Sequence, residues 1–118
     1  MPPKPILVTG ATGYVGGRLA PRLLEAGYRV RALGRSVAKL RGRPWGGHPH
    51  LKVAQGDVLD LESLQRAAQG CTAAFYLVHS MGVTDFAQAD RQAAQNMVQA
   101  AAAAGMERII YLGGARRT

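Results

Sequence analysis

The sequence predicts an α/β fold, a five-stranded parallel sheet between two layers of helices, and three features of the chain predict it. Strand-like and helix-like segments alternate along the whole 118 residues. The apolar runs at 6–9 and 73–78 show no polar alternation, as expected of strands buried on both faces. Glycines at 27, 70 and 105 punctuate the ends of the helical segments. Parallel strands joined through helices need right-handed crossovers, which place helices on both faces. The expected strand order is 3-2-1-4-5, with a ligand crevice where the order reverses, at the carboxyl ends of strands one and four.

The elements follow in order. The first strand is 6–9, and the first helix covers 14–26 with Val15, Leu19, Leu23 and Leu24 as its apolar face and Gly27 as its stop. Pro21 removes the N–H that would bond the Gly17 carbonyl and should bend that helix slightly. The second strand is 28–33, ended by Gly34-Arg35-Ser36 and followed by a short helical turn at 37–40. Residues 42–50 form a loop rich in glycine and proline, which is not a domain linker. The third strand is 51–55, and a helix over 61–68 is capped by Asp60 and closed by Gly70. The fourth strand is 73–78. A long helix then runs from Thr84 or Asp85, an N-cap pair, to Ala104, with Phe86, Ala89, Ala93, Met97, Ala100 and Ala104 inward. The fifth strand is 108–112.

Between the first strand and the first helix stand Gly10, Gly13 and Gly16, each with a separate task. Gly10 turns the chain sharply. Gly13 brings backbone N–H groups to a pyrophosphate with no Cβ in the way, and Gly16 lets the helix lie close. The anion would sit on the helix N-terminus, where free N–H groups and the dipole favour negative charge. Cofactor contacts are therefore expected from Gly10, Thr12, Gly13, Tyr14, Val15 and Gly16. The alternative is a glycine-rich turn with no ligand.

The charge distribution refines this. The net charge is +8, and Arg29, Arg31, Arg35, Lys39, Arg41, Arg43 and Lys52 all lie between Glu25 and Asp57, with no acid among them. Such a cluster suits a nucleic-acid face, a solvated surface or a ligand phosphate. In dinucleotide folds an acid at the end of the second strand holds the adenosine ribose of NAD, and an arginine there accommodates the 2′-phosphate of NADP. Here that place holds Gly34-Arg35-Ser36. Arg35 is the expected phosphate ligand, assisted by Ser36 or Arg31, and NADP(H) is expected ahead of NAD(H). At the other side of the crevice, His79 and Ser80 leave the fourth strand near the nicotinamide ribose, although a lone histidine is more often structural.

The wording Val-Thr-Gly-Ala-Thr-Gly-Tyr-Val-Gly, with GxxGxxG spacing, resembles the extended and atypical short-chain dehydrogenase/reductases, including their NmrA-like and epimerase-like branches. So does Phe75-Tyr76-Leu77-Val78-His79-Ser80-Met81. The resemblance implies a three-layer Rossmann-type domain over residues 1–118. It also implies an Asp57 contact to the adenine amino group, with Val58 packed on the ring. The bland alternative is that Asp57 only caps its own loop. The resemblance further implies that Asn96 buttresses the loop after the fourth strand, against the alternative of an exposed helix residue. The active families use a Ser after the fifth strand and a Tyr-x-x-x-Lys on the next helix; neither is present, since the fourth residue after Tyr111 is Ala115. The sequence thus reads as the cofactor half of the family, truncated after the fifth strand, with an open edge there that predicts homodimerisation or poor solubility.

Other classes are disfavoured. There is no apolar run long enough to span a bilayer and no signal-peptide pattern, so the expected location is the cytoplasm. Cys71 is alone, and His48 and His50 lack a third metal ligand. No helix-turn-helix or RNP-type motif accompanies the basic cluster, which makes nucleic acid an unlikely partner. The expected function is dinucleotide binding in an oxidoreductase or epimerase. A non-catalytic redox sensor is the alternative, and a basic nucleic-acid-binding module the second alternative.

Overall fold

The computed structural model describes residues 3–77 and 85–112, the side chains of 85–87 and 112 excepted. Its elements are β1 (Ile6–Thr9), α1 (Tyr14–Glu25), β2 (Val30–Gly34), α2 (Val37–Arg41), β3 (Leu51–Gln55), α3 (Leu61–Ala68), β4 (Ala73–Leu77), α4 (Asp85–Ala104) and β5 (Arg108–Leu112). The strands form one five-stranded sheet in the order β3-β2-β1-β4-β5. Every pairing in it is parallel, as the sequence predicts.

Strand alternation distributes the apolar side chains between two cores. Leu7, Leu33, Ala74 and Tyr76 pack with Leu64, Ala67 and Ala68 of α3 and Ala93, Met97 and Ala100 of α4. The alternate positions Val8, Val30 and Ala32 pack with Ala11, Leu24 of α1 and Leu40 of α2, joined at the margin by Trp45, Phe75 and Leu77. Each fully buried aliphatic side chain contributes about 1.5–3 kcal/mol relative to exposure. Both cores therefore clamp β1, whose four residues are all buried.

Several local expectations change. The strand expected at 28–33 runs Val30–Gly34, because Tyr28 N–H is engaged in closing α1 on Leu23 O (3.0 Å) and Gly34 O accepts from Gly56 N–H (2.9 Å). Helix α1 buries Gly16, Ala20 and Leu24, whereas Val15 is half-exposed. The stripe rotates because the helix start abuts the preceding loop at Gly16, where only a small residue fits. The helix continues through Pro21 to Glu25. Asp60 occupies the N-cap of α3 without a side-chain cap bond. Ser63 instead fastens the turn that leads into the helix: its Oγ accepts from Asp57 N–H (3.0 Å) and donates to Asp60 O (2.9 Å). The Thr84 end of α4 and Val78 lie outside the described residues.

Asn96 is buried, not exposed. Its Nδ2 donates to Val58 O (2.8 Å), and its Oδ1 accepts from Gln92 Nε2 (2.9 Å). The loop it supports in the described residues is the one after β3; the loop after β4, where the resemblance put its support, lies outside them. An unpaired amide here would leave buried polar groups without partners, at about 1–3 kcal/mol.

Two buried groups of the core facing α3 and α4 titrate late. Burial pushes the Cys71 thiol up, partly offset by Arg31. Burial, then Tyr111, then Asp90 push Tyr76 up to about 12. Both groups are neutral when protonated and hold their protons longer in the folded chain. Their contribution is therefore complete below the unfolded values of 9.0 and 10.0 and is lost as pH rises through the folded ones. Thermal midpoints measured from pH 8 to 11 should fall above about pH 9, and Cys71→Ala with Tyr76→Phe should flatten that fall.

Candidate functional site

The site begins where β1 ends. Thr9, buried, donates through Oγ1 to Phe75 O (3.5 Å) and accepts from Leu77 N–H (3.1 Å). Regular pairing of β1 with β4 stops at Val8–Phe75, so the Thr9 hydroxyl carries the contact one step further. The chain then turns at Gly10, whose φ of 67° lies in the left-handed region, and Gly13 N–H closes the turn on Gly10 O (3.0 Å).

The N-terminus of α1 follows directly. Gly13 is its N-cap and offers no side-chain cap, and the first intrahelical bond runs from Gly17 N–H to Gly13 O (2.8 Å). The N–H groups of Tyr14, Val15 and Gly16 thus have no backbone acceptor among the described residues. Gly10, Gly13 and Gly16 differ in what they require. A Cβ on Gly16 would lie 2.1 Å from Gly10 O, so its absence is a folding requirement. A Cβ on Gly13 would meet Gly10 O only at 3.4 Å, an ordinary contact, and the backbone there is extended. The fold itself therefore does not demand glycine there, and what a Cβ would obstruct is the approach of a group from outside the loop. This fits an anion set against the helix N-terminus. Thr12, Tyr14 and Val15 are exposed around it, with the Arg18 guanidinium 4.4 Å from the Tyr14 ring centroid.

The other expected contacts divide. Arg35 is exposed immediately after β2, and its carbonyl accepts from Gln55 Nε2 (3.4 Å). Ser36 caps α2, its Oγ accepting from Lys39 N–H (3.2 Å). Arg31 is not available as a phosphate ligand. Its side chain crosses to the α3 layer, where Nη1 donates to Ala67 O (2.7 Å) and to Gln69 O. Those are the free carbonyls at the end of α3, where the helix dipole favours a cation. Alternation along β2 explains this: position 31 shares the face of Leu33, toward α3, and not the face toward α2.

Asp57 caps its own loop, its Oδ1 accepting from Leu59 N–H (3.0 Å) and ordering the turn into α3, and this leaves its second carboxylate oxygen for another partner. Val58 is held by Asn96 from behind. His79 and Ser80 lie outside the described residues. One cation the motif reading passed over is at the site: Arg43 Nη2 donates to Thr12 O (2.6 Å) across 31 residues of chain. Nothing in the local sequence marks Arg43 out from its six basic neighbours. Thr9 was legible only as a strand residue.

A family model described as NAD(P)H-binding matches residues 10–116. The chain belongs to the NAD(P)H-binding family. This NAD(P)H-binding domain is 31% identical over 117 residues to a 3β-hydroxysteroid dehydrogenase/Δ5→4-isomerase of Mycobacterium tuberculosis, covering 90% of the chain and 30% of that protein. Among solved structures, triphenylmethane reductase of a Citrobacter species, complexed with NADP(H), superposes with a TM-score of 0.75 at 30% identity. That match covers 90% of the chain and 36% of the reductase. An NADPH-dependent quinone oxidoreductase of Escherichia coli, complexed with NADPH, gives 0.73 at 28% identity, over 90% and 35% of the two chains. The chain therefore spans about a third of the length of the relatives it matches. These findings agree with the resemblance to extended and atypical short-chain dehydrogenase/reductases.

The two helix-start glycines should separate folding from binding. Gly16→Ala forces the loop off Gly10 O and should lower stability by about 1–3 kcal/mol or more, seen as a lower thermal midpoint. Gly13→Ala should fold within about 1 kcal/mol of the parent yet lose at least about tenfold in dinucleotide affinity by calorimetric titration.

Proposed function

We propose that the chain binds NADP(H) in preference to NAD(H), as the cofactor-binding part of an oxidoreductase or epimerase-like enzyme. The observation that carries the preference is Arg35, exposed just past β2 in a stretch from Ala26 to Gly56 that contains no carboxylate. An NAD-type ribose contact needs an acid in that stretch, while a guanidinium there suits a phosphate. Two relatives near 30% identity carry NADP(H) or NADPH in their structures, which supports the same reading.

In this proposal the free N–H groups of Tyr14, Val15 and Gly16 hold the pyrophosphate and Arg35 holds the 2′-phosphate. Asp57, whose Oδ1 is already fixed by Leu59 N–H, directs its carboxylate to the adenine amino group, and Val58 packs on the ring. The bound nicotinamide supplies hydride transfer. The chain's own part is to bind the dinucleotide and orient it at the carboxyl end of the sheet. The proposal includes a cytoplasmic location, and among the described residues no helix is long and apolar enough to cross a membrane. It also includes self-association through β5, which ends the described sheet without a further neighbour.

Calorimetric titration with NADPH, NADP⁺ and NADH at two salt concentrations tests the reading. NADPH should bind more tightly than NADH. Arg35→Ala should weaken NADPH by roughly ten- to hundredfold, the equivalent of about 1.5–3 kcal/mol for a hydrogen bond to a charged group, and leave NADH little changed. Binding of none of the three, with salt-dependent binding to DNA or RNA instead, would overturn it. A marked difference between NADPH and NADP⁺ would point to redox sensing, since a switch needs differential affinity.

A further inference from the structure

The connection from α2 to β3 delivers a second guanidinium to the glycine loop. Arg43 Nη2 donates to Thr12 O at 2.6 Å, and Thr12 lies between the two glycines of the turn. The backbone that presents Arg43 is tightly wound. Arg43 N–H bonds Leu40 O (3.3 Å), Gly46 N–H bonds Arg43 O (2.8 Å), and His48 N–H bonds Trp45 O (3.1 Å). A Cβ on Gly46 would lie 2.2 Å from Arg41 O, so the winding depends on that glycine, and Trp45 packs against the α1–α2 core.

Arg35 and Arg43 stand at opposite ends of α2: one precedes its N-cap Ser36, the other follows its C-cap Gly42. The helix between them has only five residues, about 7.5 Å of rise. Arg43 is anchored by one of its five N–H donors, which leaves four for an anion. Its side chain is exposed, and no acid between Glu25 and Asp57 is there to neutralise it. The pyrophosphate has the N–H groups of α1 for its partners. A 2′-phosphate is a monoester that approaches two negative charges, and a second cation favours it over a plain ribose.

Resting on the NADP(H) reading above, we propose that Arg43 is a specificity-determining ligand of the ribose 2′-phosphate. It shares that group with Arg35 while its bond to Thr12 O ties the phosphate grip to the glycine loop. The test is titration of wild type, Arg43→Ala and Arg43→Lys with NADPH and NADH, and with 2′,5′-ADP and 5′-AMP, which differ only in the 2′-phosphate. Arg43→Ala should weaken NADPH and 2′,5′-ADP about ten- to hundredfold and leave NADH and 5′-AMP within about threefold, with Arg43→Lys between. Equal losses for phosphorylated and unphosphorylated ligands would overturn the proposal, because Arg43 would then only shape the loop through Thr12. Unchanged binding of 2′,5′-ADP to Arg43→Ala would overturn it as well. Failure of the wild type to bind any of the four would instead overturn the dinucleotide reading beneath it.

Discussion

The structure depends on one close approach, that of Gly16 to the Gly10 carbonyl. At that distance there is no room for a side chain, and α1 starts directly at the turn because of it. The stripe Gly16, Ala20, Leu24 then lies against the sheet, and Tyr14 and Val15 face outward at the crevice. The N–H groups of the first helical turn are consequently held at the carboxyl end of β1, ordered but without a backbone acceptor among the described residues. Preorganised donors of this kind bind an anion without a further ordering cost.

A second constraint ties β4 to β1 at the site. Thr9 reaches from β1 to both Phe75 and Leu77, so β4 remains tied to β1 beyond the last regular pair. On the other side β2 pairs with β1 up to Leu33 and then hands over to Gly34, Arg35 and α2. The strand order reverses across β1, and the glycine loop therefore stands between segments that leave the sheet in different directions.

The polar residues around this point fall into two groups according to what the fold already asks of them. Arg31, Ser63 and Asn96 are engaged in closing α3, shaping the turn at Asp57 and holding Val58. Arg35 is exposed, and Arg43 is anchored by one contact to the loop itself. The seven basic residues of the segment look equivalent in charge, but the sheet gives them different neighbours. A strand residue points to whichever core its parity selects, and this alone sends Arg31 away from the crevice.

The sequence by itself determined the alternation of strands and helices and the glycine turn, which are written in local periodicity and spacing, and the parallel order 3-2-1-4-5 followed from the connection rules that such an alternation obeys. Its element boundaries over β1, β3, α3 and β5 match the observed ones, since a strong apolar pattern lies between clear breakers. Only the tertiary structure decided how α1 is rotated, why Asn96 is buried, and which arginine reaches the glycine loop. Those outcomes depend on contacts between residues distant in the chain: Gly16 against the preceding loop, Asn96 on Val58 across 38 residues, and Arg43 on Thr12 across 31. Periodicity records which face of an element is apolar. It does not record where a long polar side chain finds its partner once the layers have packed.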